Sequence, residues 1–226
     1  MSKKRTASLL ILAAVLANVG FTALGSIFNY PDVLDEPAGK VLAAFRDDEG
    51  AVSAWFCVLA LSAALLAPIA IGVGRLSSKP AMRIAVSVGI AAAAVQVIGL
   101  LRWPILVPGY ASDGDADTFR TASDILGTAL GETVGYLLTA TWTALVIVAL
   151  GRRYAGRWFQ VLGAVSAALV LVGVLSPLGL PVVDAANFLG YILWSVWLIA
   201  FGIVIVVLER RRAGARSSTS AAPVTS

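Results

Sequence analysis

Gly99-Leu100-Leu101-Arg102-Trp103-Pro104-Ile105-Leu106-Val107-Pro108-Gly109-Tyr110 decides how this chain is read. A long apolar run meets one arginine and is then broken by two prolines. The run over 84–101 is apolar and close to the roughly 20 residues that an α-helix needs to cross a bilayer. Trp103 precedes a proline and is biased away from helical geometry, so the spacing predicts a helix that ends near Leu101. Arg102 then has two readings. It can complement the C-terminal dipole of its helix and reach out to lipid headgroups. Alternatively it pairs with Glu132 or Asp184 and faces a cavity, where its planar fork could hold a carboxylate or phosphate.

The same pattern recurs along the chain. Apolar runs over 8–29, 51–73, 129–150, 159–178 and 186–208 are each long enough to span. The chain is 59% hydrophobic and only 13% charged, and the charges cluster between the runs. This predicts an all-α bundle of six transmembrane helices, with the lipid bilayer as its first partner. A cleaved leader is the rival reading of the first run, because Ala23-Leu24-Gly25 precedes Ser26 at suitable spacing.

Charge placement sets the expected topology. Lys3, Lys4 and Arg5 precede the first run. Arg75, Lys79 and Arg83 flank the second connection, Arg152, Arg153 and Arg157 the fourth, and Arg210, Arg211 and Arg212 open the tail. The alternate connections carry nearly all the acids. Positive residues stay on the cytoplasmic side, so both termini are expected inside a plasma membrane. The tail over 209–226 is basic, then rich in Ser, Thr and Ala, and reads as disordered. The net charge of +4 is spread over these short groups. It forms no continuous basic patch, which argues against a nucleic-acid partner.

Several chemistries are excluded by composition. The chain has no histidine and one cysteine, Cys57, so neither histidine-ligated metal nor an intrachain disulfide is available. No nucleophile elbow, phosphate loop or zinc-protease motif is present. The expectation is a non-enzymatic protein without cofactor or metal. Asp113, Asp115, Asp117 and Asp124 mimic calcium-loop spacing. However, Thr118 stands where the turn wants glycine, so a solvated acidic loop accounts for them.

Polar residues inside the runs are functional candidates by default. Asn18, Thr22, Ser26 and Asn29 share one face of the first run. Glu132, Tyr136, Thr139 and Thr143 do so in the fourth, and Asp184, Asn187, Tyr191 and Ser195 in the sixth. All three stripes run from the acidic side toward the middle, where with Arg102 they could line one pocket. The competing reading is hydrogen bonding between helices, at around 0.6 kcal/mol per bond. Asp184 could equally serve as a helix cap. In the first loop Leu34, Ala38, Val41, Leu42 and Phe45 recur at helical steps. They read either as a helix lying on the membrane or as a plain connecting helix. Tyr154, Trp158, Trp194 and Trp197 near run ends read in part as an interfacial belt.

Five strings resemble, in order, a bacterial family of six-span membrane proteins catalogued as a domain of unknown function. They are Phe28-Asn29-Tyr30-Pro31-Asp32-Val33-Leu34, Glu36-Pro37-Ala38-Gly39, Gly99-Leu100-Leu101-Arg102-Trp103-Pro104, Gly131-Glu132-Thr133-Val134-Gly135-Tyr136-Leu137 and Gly190-Tyr191-Ile192-Leu193-Trp194-Ser195. The resemblance implies the fold and an inner-membrane home, and no activity. Two functions are therefore carried forward. One is binding or transport of a small-molecule ligand through an outward-facing pocket of Arg102, Glu132, Tyr136, Asp184, Asn187, Tyr191, Asn18 and Asn29. The other is a membrane signalling or assembly subunit that meets a protein partner, or a second copy, through helix faces and the basic tail.

Overall fold

The computed structural model describes residues 1–220. Six helical units are long and apolar enough to cross a membrane: Lys3–Phe28, Glu49–Gly74, Pro80–Asp113, Ala116–Leu150, Arg157–Leu178 and Pro181–Arg211. No strand occurs among the described residues. In order, the chain forms α1 (Lys3–Phe28), α2 (Ala38–Asp47), α3 (Glu49–Ala64), α4 (Leu66–Gly74), α5 (Pro80–Ile105), α6 (Val107–Asp113) and α7 (Ala116–Ala122). It continues through a π-helical segment (Ser123–Val134), α8 (Gly135–Leu150), α9 (Arg152–Ala155), α10 (Arg157–Val172), a 3₁₀ segment (Gly173–Leu178) and α11 (Pro181–Ser220). The residues 209–220, expected to be disordered, continue α11. The expectation for 221–226 falls outside the described residues.

The basic connections gather at one end of the bundle. Arg75 donates to the Met1 carbonyl at 3.0 Å, Ser77 to the Ala149 carbonyl at 3.4 Å, and Lys3 faces Glu209 at 3.9 Å. At the opposite, acidic end Arg46 of α2 donates to the Ala111 carbonyl of α6 at 2.8 Å. Asp115 accepts from the Thr118 amide at 3.0 Å and caps α7. One residue of the calcium-like spacing is thus a helix cap.

Two apolar cores fill the interior. The one toward the basic end centres on Trp142, Phe159, Trp197 and Phe201. Trp197, read in part as an interfacial residue, is fully buried and donates to the Phe159 carbonyl at 3.1 Å. Trp158 is exposed. The core at the acidic end centres on Trp103, with Phe28, Phe45, Phe56 and Phe119 around it. Val41, Leu42 and Phe45 of α2 are buried in it, so α2 turns its apolar face to the protein. It is a connecting helix packed on the bundle, and the membrane-surface reading does not hold.

This second core also explains where α5 ends. The helix runs through Trp103 and Pro104 to Ile105, four residues past the end that the proline predicts. Proline inside a helix costs about 3 kcal/mol through a lost hydrogen bond and a steric clash. Against that, the buried Trp103 ring stacks on Phe56 at 4.7 Å between centroids. It also meets Phe28 at 5.2 Å, Phe45 at 5.9 Å and Phe119 at 5.9 Å. Aromatic pairs contribute about 0.5–1.5 kcal/mol each beyond the burial of their area. Four such pairs offset the proline, and tertiary packing overrides the local rule. The second spanning unit is interrupted at Leu65, between α3 and α4, three residues before Pro68.

Candidate functional site

Extending α5 carries Arg102 into the protein. Its side chain is only 6% exposed, so it does not reach lipid headgroups. Nη1 donates to the Gly99 carbonyl at 2.6 Å, and the guanidinium carbon sits 5.3 Å from the Trp103 ring centroid. The buried Nε has no hydrogen-bond partner among the described residues. The expected ion pair does not close either. Among the described residues the ion pairs are Lys3–Glu209 and Lys40–Glu36, and neither involves Arg102.

Glycines make room for this arginine. A Cβ at position 127 would lie 2.6 Å from Arg102 Nη2 and 2.8 Å from Cζ. A Cβ on Gly99 would lie 2.8 Å from the Gly131 Cα and 3.0 Å from the Leu126 carbonyl oxygen. Gly99, Gly127 and Gly131 therefore let the π segment lie directly on α5 and over the guanidinium. The π segment's wider turn is a geometry often found at functional sites. Here it carries Glu132 on its last turn, just ahead of Tyr136 in α8.

Three tyrosines and two carboxylates complete the cluster. Arg102 interacts electrostatically with Tyr30, Glu132 and Tyr136. Glu132 interacts with Arg102 and Asp184, and Tyr191, whose hydroxyl is hydrogen-bonded to Thr139, interacts with Glu132 and Tyr30. The Tyr136 and Tyr191 rings meet edge to face at 5.6 Å. Asp184 is exposed in the first turn of α11 and forms the rim.

Tyr30 belongs to this cluster and was not among the residues the sequence singled out for it. Asn29 ends α1 in the left-handed conformation at φ +50, a position for which asparagine is suited. The Asn29 and Tyr30 amides both turn back to the Leu24 carbonyl. That stop swings Tyr30 inward, onto Phe56 at 5.2 Å. Burial first, and then the Glu132 charge, push its hydroxyl up to about 12. The available signal was the Phe28-Asn29-Tyr30 string itself, with a helix-stopping residue just before the tyrosine.

The remaining candidates divide. Asn187 is buried, but its Nδ2 donates to the Val170 carbonyl of α10 at 2.9 Å. A Cβ on Gly173 would meet its Cγ at 2.6 Å. It therefore holds α11 to α10. The deeper part of the fourth-run stripe is likewise committed to helix joining. Gln96 donates to Thr139 Oγ1 at 2.7 Å, and Trp194 Nε1 donates to Thr143 Oγ1 at 2.8 Å. Asn18 and Asn29 are not brought to the cluster. They lie on the exposed face of α1 with Thr22 and Ser26. Asn18 Nδ2 donates to the Ala14 carbonyl of its own helix at 2.7 Å, and Ser26 to that of Ala23 at 2.7 Å.

Residues 6–202 match the profile of a domain of unknown function, DUF4386. The chain belongs to the DUF4386 family. The matched span contains every residue of the cluster, from Tyr30 to Tyr191, and stops before the basic tail. No curated protein and no solved structure matches the chain significantly. What the site of this DUF4386 protein can hold follows from its own geometry. A buried guanidinium with an unpartnered N–H, a carboxylate nearby but not in contact, and three tyrosines could accept one small anionic group. Leaving a charged donor buried and unsatisfied is costly.

Proposed function

We propose that the protein binds, without catalysis, a small molecule bearing a carboxylate or phosphate, in a membrane-embedded site anchored by Arg102. The observation that supports it is the buried Arg102 Nε, which has no hydrogen-bond partner among the described residues. It lies beside Glu132 without an ion pair between them. A carboxylate or phosphate oxygen would take that N–H in a charge-assisted hydrogen bond. Tyr30, Tyr136 and Tyr191 would offer hydroxyl groups around it. Transport is the natural extension, with Asp184 and the acidic end as the side of entry. The positive-inside rule places the basic end in the cytoplasm, so both termini lie inside and the site opens outward, in a bacterial plasma membrane.

The test is a thermal-shift screen of the purified full chain against acetate, succinate, benzoate and small phosphate monoesters. At least one anion should raise the melting temperature, and Arg102→Gln should remove that shift. An equal shift in wild type and variant would overturn the reading.

A second reading, assembly through helix faces, is favoured by one observation: the polar stripe of α1 faces outward. Among the described residues no donor reaches the side-chain oxygen of Asn18, which lies well inside the spanning helix. Amides in that position join helices through hydrogen bonds. Under this reading the chain acts as a non-catalytic subunit of a homo-oligomer or signalling assembly, with the basic tail as an additional contact.

A further inference from the structure

A groove of about 480 Å³ opens on the outside of the bundle between α8 and α10, toward the basic end. Its walls change character along its length. Ile147 of α8 and Val161 and Ala164 of α10 line the apolar part, and Arg152, Arg157 and Gln160 line the other. Arg157, Gln160, Val161 and Ala164 recur at helical steps and share one face of α10. From Arg157 to Ala164 the groove follows α10 for roughly 10 Å at 1.5 Å per residue. Val161 and Ala164 are exposed, so this wall faces lipid.

The cationic end has a specific backbone geometry. Gly151 at φ +70 and Gly156 at φ +88 bracket the single turn of α9. Both have ψ near 180°, a combination confined almost entirely to glycine. These two joints set Arg152 and Arg157 on either side of one short connection. Lys79 approaches as well, with its Nζ 3.9 Å from where a Cβ on Gly151 would stand. Among the described residues no acid pairs with this group. The sequence has none between Glu132 and Asp184. The first turn of α10 has neither a side-chain cap nor an acidic residue, so its amides add to the positive field.

We propose that this groove is a binding site for an anionic glycerophospholipid. Its phosphodiester lies between Arg152 and Arg157, and one acyl chain lies along Val161 and Ala164. Two arginine forks match a phosphate bidentately. Gln160 is already oriented, because its Nε2 donates to the Ile147 carbonyl at 3.2 Å. The exposed Trp158 beside Arg157 suits the headgroup level. An anionic diacyl lipid satisfies both ends of the groove, whereas a free anion satisfies only the arginines. The inference is independent of the Arg102 site, which lies toward the other end of the bundle.

The experiment uses the full chain purified in mild detergent from nanodiscs of equal phosphatidylglycerol and phosphatidylcholine. Native mass spectrometry then reads the retained lipid. Wild type should retain phosphatidylglycerol over phosphatidylcholine. The double variant Arg152→Gln/Arg157→Gln should lose roughly tenfold in that retention. Arg153→Gln removes one charge next to the groove without touching its lining, and should keep it. Ala164→Trp fills the apolar end with no change in charge, and should lose it. Inorganic phosphate should not raise the melting temperature where phosphatidylglycerol does. Retention in Ala164→Trp, or equal loss in Arg153→Gln, would overturn the proposal. So would equal stabilisation by inorganic phosphate. If the double variant does not fold, Ala164→Trp decides.

Discussion

Arg102 lies directly beneath Gly127: a Cβ at 127 would stand 2.6 Å from the guanidinium Nη2 and 2.8 Å from Cζ. One hydrogen atom in the π segment is therefore what lets a charged side chain sit inside the bundle. Gly127→Ala forces either the guanidinium or the π segment to move. Overpacking of this kind costs typically 1–3 kcal/mol, about the range expected here. Arg102→Ala opens the space, so Gly127→Ala should cost much less in that background. A double-mutant cycle on thermal or denaturant unfolding measures the coupling. Additive effects would separate the two residues.

The proposed ligand site predicts a division of labour that the stripes alone do not. Asn187 and Tyr191 stand on one face of α11, yet Asn187 is tied to the Val170 carbonyl of α10, whereas the Tyr191 hydroxyl, hydrogen-bonded to Thr139, also interacts with Glu132 of the cluster. Asn187→Leu should lower stability by around 0.6 kcal/mol or somewhat more, and should leave any anion-dependent thermal shift intact. Tyr191→Phe removes the hydroxyl alone and should reduce that shift. The reverse outcome would reassign Asn187 to the site and Tyr191 to packing.

Tyr30 supplies the pH test. Its hydroxyl is pushed from 10.0 to about 12 by burial and by the Glu132 charge. The fold therefore favours the neutral phenol. The stabilisation this carries is complete below pH 10 and is lost as the pH rises through about 12. Tyrosinate absorbance, taken as the difference between wild type and Tyr30→Phe, should show a half-point near 12. A half-point near 10 would place the hydroxyl in water and remove it from the cluster. Tyr30→Phe itself should be more alkali-resistant than wild type over this interval.

How far the sequence led follows from which forces act locally. Six spans were legible because hydrocarbon thickness is read directly as run length, and α2 because its apolar residues keep helical steps. The end of α5 was not, because the pull that carries Trp103 past Pro104 comes from Phe28, Phe45, Phe56 and Phe119, distant in sequence. The spacing of the stripes was legible, but the direction each faces was not. Asn18 and Thr143 carry the same periodic signature, and only packing sends one outward and the other to the Trp194 indole. Tyr30 was missed for a related reason. It is in a connection, and its place in the cluster depends on the left-handed turn at Asn29.

Asn18 gives the last prediction. Its amide is exposed near the middle of α1, and its Nδ2 is used locally on the Ala14 carbonyl at 2.7 Å. Replacing it with leucine removes a polar group from a lipid-facing surface, so the isolated protomer should be at least as stable as wild type. If α1 joins a second copy, the same change should weaken that association by roughly 0.6–1.7 kcal/mol, the range for hydrogen bonds between membrane helices. Sedimentation equilibrium in mild detergent separates the two effects. A wild-type dimer that becomes more dissociated in Asn18→Leu, with an undiminished melting temperature, supports assembly through α1. A wild-type monomer would leave the outward stripe of Asn18, Thr22 and Ser26 without that role and would strengthen the Arg102 site as the functional centre.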